Sequence, residues 1–156
     1  GAATVALGIA QGAYQLALDW SEERHQFGRP INEFQGLQWK LADMSIKLSA
    51  AQALVYNAAR SGEGGFPDML LAAQAKVFTS ENAIQVVNEA LQFFGARGYS
   101  RELPLERMAR DVRMFTIGGG TAQVLRTLVA SRMLDWKLPQ TRDGYARKTP
   151  IRDAAE

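Results

Sequence analysis

Phe115-Thr-Ile-Gly-Gly-Gly-Thr-Ala-Gln123 joins two helical segments through three consecutive glycines and ends on a threonine placed to cap the second segment. Glycine has no Cβ to block positive φ, so Gly118, Gly119 and Gly120 can turn tightly and let a ligand approach bare backbone. Thr121 predicts an N-cap, and the helix behind it leaves its first N–H groups pointing into the same space. By itself such a loop is an ordinary connection between helices. It also lacks the lysine that a phosphate loop of the Walker type requires.

Outward from this loop the chain reads as helix throughout. Residues 104–115 form a short segment in which Glu106, Arg107, Arg110, Asp111 and Arg113 stand at spacings that pair opposite charges. Residues 121–138 form a longer one. A third helix over 67–94, with Pro67 in its first turn, buries Leu71, Ala75, Phe78, Ile84, Val87 and Leu91 and stops at Gly95, a natural position for positive φ. Gly95-Ala-Arg-Gly98 follows a helix and not a strand, so it fails the context of a dinucleotide-binding turn.

Asn32 and Gln35 predict a capping box opening a helix to about residue 61, with Leu37, Leu41, Met44, Leu48, Ala51 and Val55 as its apolar stripe. The first helix covers residues 2–24 on Val5, Ile9, Leu16 and Trp20. Asp19, Glu22 and Glu23 read as its solvated end, with His25 at its C-terminus. No run alternates with period two. The pattern predicts an all-α fold, an antiparallel up-down four-helix bundle over residues 1–138. Residues 139–156 are expected to form an arm, extended or without regular structure of its own.

Composition narrows the function. With 47% hydrophobic and 22% charged residues, 156 residues suffice for one globular core. A net charge of +2 from 18 basic and 16 acidic residues is a small excess and not a basic stripe, which sets nucleic-acid binding aside. The absence of cysteine and the presence of one histidine, His25, exclude disulfides and thiol catalysis and leave no metal site. Residues 1–18 carry no charge, but Thr4, Gln11 and Gln15 and a predominance of alanine and glycine indicate a buried helix instead of a membrane span. The chain begins inside a helical period without an initiator methionine, as expected of a piece of a longer protein.

Five motifs in register resemble one family. Arg24-His-Gln-Phe27-Gly28-Arg-Pro-Ile-Asn-Glu-Phe34-Gln35, Leu41-Ala-Asp43-Met44, Glu89-Ala-Leu-Gln92-Phe-Phe-Gly95-Ala-Arg-Gly98-Tyr99, Leu103-Pro104-Leu-Glu106-Arg107 with Arg110-Asp111, and Gly120-Thr121 are similar to the C-terminal helical domain of the acyl-CoA dehydrogenases. The likeness runs from near Gly1 to about Leu134. It implies FAD as cofactor, an acyl-CoA substrate, two further domains ahead of this one, and a homodimer or homotetramer.

The resemblance also implies roles. Arg24 would bind the FAD pyrophosphate, with Phe27 packing and Gln35 hydrogen-bonding beside it. Gln92, Gly95 and Ala96 would close around the adenosine half from another subunit, and Thr121 and Gln123 would meet the flavin of their own chain. Ala96 replaces a second glycine usual in the family. The family's catalytic glutamate commonly stands two residues before the matching threonine, where this chain has Gly119. A subset similar to the isovaleryl-CoA and long-chain enzymes carries that glutamate on the first helix of this domain, which here falls upstream of Gly1. The backbone N–H of Gly119, beside Gly120, would still hold the thioester oxygen.

The expected function is therefore the C-terminal part of an FAD-dependent acyl-CoA dehydrogenase forming a trans-2-enoyl-CoA, inactive alone, with an electron-transfer flavoprotein as acceptor. The alternatives are an oxygen-using relative, such as an acyl-CoA oxidase or flavin monooxygenase, and a bundle that retains assembly without chemistry. The bacterial cytoplasm or the mitochondrial matrix is the expected compartment.

Overall fold

The structure, a computed structural model, describes residues 1–137 and 149–150. Helices α1 (Ala2–Glu23), α2 (Gln35–Arg60), α3 (Met69–Phe94) and α6 (Ala122–Leu134) are the long elements, and α4 (Ala96–Tyr99) and α5 (Leu105–Met114) are short ones between α3 and α6. The architecture is the expected antiparallel helical bundle. Helix α3 lies at its centre, with α1, α2, α5 and α6 all packed on it.

Small side chains set the spacing of that centre. Ala6, Ala10, Ala13 and Ala17 of α1 are fully buried, and they recur every three or four residues on one helix face. They join Ala83, Val86, Val87 and Ala90 of α3 in one core cluster. Val5, expected to lie on the buried stripe, is instead 52% exposed, because the buried face runs through Ala6, about 100° round the helix from Val5. Met44, Leu48 and Ala51 of α2 and Leu105, Val112 and Phe115 at α5 belong to the same cluster.

Several helix ends differ from expectation. The Asn32–Gln35 capping box does not form. Residues Ile31–Glu33 make a 3-10 turn, Phe34 is the N-cap of α2 without a side-chain bond, and Gln38 Nε2 donates to the Asn32 carbonyl instead. Helix α3 opens not at Pro67 but behind Asp68, whose carboxylate accepts the Leu71 N–H at 2.9 Å. His25 lies beyond α1 in a short hairpin, β1 (His25–Gln26) paired antiparallel with β2 (Arg29–Pro30). Phe27 and Gly28 turn that hairpin with φ of 52° and 80°, a two-residue turn whose twist suits paired strands. Helix α6 stops at Leu134 instead of residue 138, because Asp135 is left-handed and Trp136–Lys137 (β3) pairs with Thr149–Pro150 (β4). The remainder of the expected C-terminal arm lies outside the described residues.

Gly98 is an obligatory small residue that the sequence reading treats only as part of a turn. A Cβ there would lie 2.5 Å from the Leu91 carbonyl oxygen, so the α3–α4 corner could not close. Gly98→Ala should therefore destabilise the fold by about 1–3 kcal/mol through overpacking. Gly36→Ala, in open space on α2, should instead stabilise it by up to about 1 kcal/mol through helix propensity. Thermal melts of the two variants should shift in opposite directions.

Helix α6 buries only Ala122 fully, and a bidentate pair from Arg126 to Glu81 of α3, at 2.6 and 2.7 Å, clamps it. The Arg126 hydrogen bonds hold the Glu81 carboxyl below its usual range. A carboxylate with a lowered folded-state pKa adds stability above its unfolded value of 4.5, and that stability is lost as pH falls through the lower folded value. Both side chains are more than a third exposed and screened by solvent, so Arg126→Met should lower stability only slightly near neutrality. Urea melts should show the gap between wild type and variant closing in acid.

Candidate functional site

Three clefts carry the expected site residues. The first, about 580 Å³, lies at the end of α1 and α3 and is lined by Trp20, Arg24, Lys40, Gln92 and the backbone through Gly95 and Ala96. Its walls are fixed by aromatic packing. Trp20 stacks on Phe94 with ring centroids 4.8 Å apart, donates its indole N–H to the Phe93 carbonyl at 3.1 Å, and has the Arg97 guanidinium over its ring, 4.8 Å from the centroid. Lys40 of α2 pairs with Glu89 of α3 across this end of the bundle.

Arg24 leaves α1 in an extended conformation, and its carbonyl accepts the Ile31 N–H at 2.8 Å, which ties the hairpin back to the cleft. Its exposed guanidinium has no hydrogen-bond or ion-pair partner among the described residues. An unpaired planar fork at an open cleft is a ready donor for phosphate oxygens. Gly95, with φ of 56°, turns the chain from α3 into α4 and places backbone without a side chain along the same wall. The structure thus brings Arg24, Gln92, Gly95 and Ala96 together.

Phe27 and Gln35 do not join them. Phe27 is 92% exposed at the hairpin tip, with its ring edge-on to Phe34 at 6.1 Å, and Arg29 lies 4.1 Å over Phe34. Gln35 is exposed as the first residue of α2.

The glycine corner lies between the other two clefts. Gly118 N–H donates to the Met114 carbonyl at 2.7 Å and Ala122 N–H to the Thr116 carbonyl at 3.0 Å, so both ends of the corner are pinned. Between them Gly119 and Gly120 have φ of 68° and 88°. Thr121 caps α6 as expected, its hydroxyl accepting the Val124 N–H at 3.2 Å. Thr121 and Gln123 face a cleft of about 390 Å³ that they share with Glu81, Gln85 and Arg113.

Gly119 lines the third cleft, about 330 Å³, whose walls include Ala2, Val55, Ala58, Ala72, Leu125 and Leu128. Its N–H has no acceptor among the described residues. An unsatisfied donor at the mouth of a mostly apolar pocket is suited to hold a carbonyl oxygen. The cation of this cleft is Lys76 of α3, 7% exposed, donating to the Gly120 carbonyl. Sequence reading missed it, since one lysine inside an amphipathic helix looks like a solvated position. No group of acidic residues and His25 among the described residues could hold a metal ion, and no described helix is long and apolar enough to cross a membrane.

Comparison with known proteins accords with this arrangement. Residues 1–134 match the family described as acyl-CoA dehydrogenase, C-terminal domain. The chain is 63% identical to the 3-sulfinopropanoyl-CoA desulfinase of Variovorax paradoxus over 94% of its own length and 37% of that protein. Among solved structures it is similar to butyryl-CoA dehydrogenase from Megasphaera elsdenii, with 42% identity and a TM-score of 0.83 over 86% of this chain and 35% of the other. A chain solved in work on the electron transferring flavoprotein of Acidaminococcus fermentans is similar at 45% identity and a TM-score of 0.83, covering 86% of this chain and 35% of that one. This chain thus spans little more than a third of the curated relatives it matches. By residue pattern, fold and match over 1–134, it belongs to the acyl-CoA dehydrogenase C-terminal domain family.

Proposed function

We propose that this chain is the FAD-cradling and assembly part of a longer flavoenzyme that oxidises an acyl-CoA thioester to its trans-2-enoyl-CoA, and that it supplies main chain alone to the reacting carbons. The observation that carries this reading is that Gly119, at positive φ and with no described acceptor for its N–H, lines a mostly apolar pocket. Gly119 would hold the thioester oxygen, making the adjacent Cα proton more acidic. The base that removes the proton would come from outside these residues.

The residues present fit FAD. Arg24, Gln92, Gly95 and Ala96 would hold the adenosine diphosphate half of a neighbouring subunit's cofactor, while Thr121 and Gln123 would hydrogen-bond the flavin of their own chain. Bound there, FAD supplies the hydride acceptor. Phe27 and Gln35 point away from these clefts and would serve only across a subunit interface. Assembly as a homodimer or homotetramer is supported by Trp39 and Ile46, both more than half exposed and seven residues apart on one face of α2. An electron-transfer flavoprotein is the proposed acceptor, and the cytoplasm the proposed compartment, in keeping with bacterial relatives.

A second reading is favoured by one observation. The 63% identity to a protein named 3-sulfinopropanoyl-CoA desulfinase well exceeds the 42% to butyryl-CoA dehydrogenase. Replacing a sulfinate by hydrogen, with water supplying the proton and hydroxide and hydrogensulfite leaving, is redox-neutral. It needs no net electron acceptor.

The full-length protein separates the readings. Anaerobic bleaching of bound flavin by a saturated acyl-CoA supports dehydrogenation. Release of sulfite from 3-sulfinopropanoyl-CoA without an electron acceptor supports the second reading, and rapid reoxidation of reduced enzyme by air would indicate an oxidase.

For the cradle, Arg24→Ala should weaken FAD retention by about 10- to 100-fold, the worth of a charge-assisted hydrogen bond. Ultrafiltration of the holoenzyme measures this, and unchanged retention would remove Arg24 from the cofactor site.

A further inference from the structure

Lys76 is an unusual residue for the centre of a bundle. It sits on α3, 93% shielded by its 7% exposure, among Ala72, Ala73, Ala75 and the apolar wall of the Gly119 pocket. Burial alone pushes its ammonium pKa down, the mark of a cation kept in poor solvent. The fold tolerates this desolvation where an apolar side chain of equal length would pack without cost. Its described partner is one atom, the carbonyl oxygen of Gly120.

That atom belongs to the part of the corner with the least other support. The backbone bonds at Gly118 and Ala122 hold the two ends. Between them Gly119 and Gly120 occupy left-handed conformations that glycine leaves freely, and their N–H groups have no described acceptor. The Gly120 carbonyl shares its peptide plane with the Thr121 N–H, so a bond at that oxygen fixes the orientation of the plane. It thereby helps to set where α6 begins and, with Gly118 anchored on the Met114 carbonyl, restrains the Gly119 backbone from both sides.

We propose that Lys76 is the positioning residue of the Gly118–Thr121 corner, its ammonium reaching from α3 to lock the Gly120 carbonyl so that the Gly119 N–H faces the acyl pocket. This rests on the reading of Gly119 as the donor to the thioester oxygen, and it adds the group that aims it. The charge also places a positive potential beside that donor, where negative charge on the oxygen grows during reaction.

The test uses full-length holoenzyme with Lys76→Met, which keeps length and loses the donor, and Lys76→Arg, which restores charge and donor. Amide hydrogen exchange is followed at Gly118, Ala122 and Val124, the hydrogen-bonded amides of the corner. In Lys76→Met these should lose protection while α5 amides keep theirs. The kcat on an acyl-CoA substrate should fall about 10- to 100-fold, as for loss of a charged hydrogen bond, with KM changing far less and Lys76→Arg recovering most of the loss.

Wild-type protection at the corner together with wild-type kcat in Lys76→Met would overturn the assignment. So would loosening spread evenly along α3, with kcat falling only as the folded fraction does. Should Lys76→Met fail to fold, Lys76→Gln, with a shorter uncharged donor, gives the same two readouts. A wild type that turns over no acyl-CoA, in which Lys76→Met still loosens the corner alone, would sink the functional reading and leave Lys76 as the lock.

Discussion

The close approach of α1 to α3 through alanine is the constraint from which the rest of the structure follows. With Ala6, Ala10, Ala13 and Ala17 fully buried, and Ala83 and Ala90 in the same cluster, there is little side-chain bulk to separate the two helices. Such a seam gains dispersion from backbone as well as side chain, and it tolerates almost no added volume. It sets the axis of α3, and α3 in turn carries Gln92 at one end, Lys76 nearer its start, and Glu81 between them. The Arg24 cleft, the Lys76–Gly120 contact and the Arg126–Glu81 clamp are all referenced to that one rod.

Two kinds of chemistry are thereby kept at different places on the bundle. At the α1 and α3 ends, an unpaired guanidinium and exposed main chain make a surface for phosphate oxygens, backed by the Trp20–Phe94 stack. At the corner before α6, main-chain donors face an apolar pocket with one desolvated cation behind them. Among the described residues, neither the Arg24 cleft nor the Gly119 pocket is lined by a carboxylate. The chain spans little more than a third of its relatives, and under the proposed function both places are half-sites.

What was legible in the sequence was local. Thr121 announced its cap and Gly95 its positive φ, because both are decided within four residues. The long helices followed from period and punctuation, whereas the roles of Arg24, Gln92 and Gly95 were implied only by the family resemblance. The misread details depend on partners distant in sequence or on competing turns. Asn32 lost its capping role because a 3-10 turn ends just before Phe34, and Asp68 took over at α3 from the more conspicuous Pro67. Val5 looked like core by hydropathy, but the alanines chose the face. Lys76 left no sequence signal, since its partner is a carbonyl 44 residues away.

The central claim is that the corner meets the substrate through main chain. A crystal structure of the full-length protein with FAD and an unreactive acyl-CoA thioester tests it most directly. The account predicts the thioester oxygen about 2.9 Å from the Gly119 nitrogen, within hydrogen-bond geometry, with no carboxylate of residues 1–156 beside the reacting carbons. An oxygen bound elsewhere, more than about 3.5 Å from that nitrogen, or a carboxylate from this chain at those carbons, would contradict it.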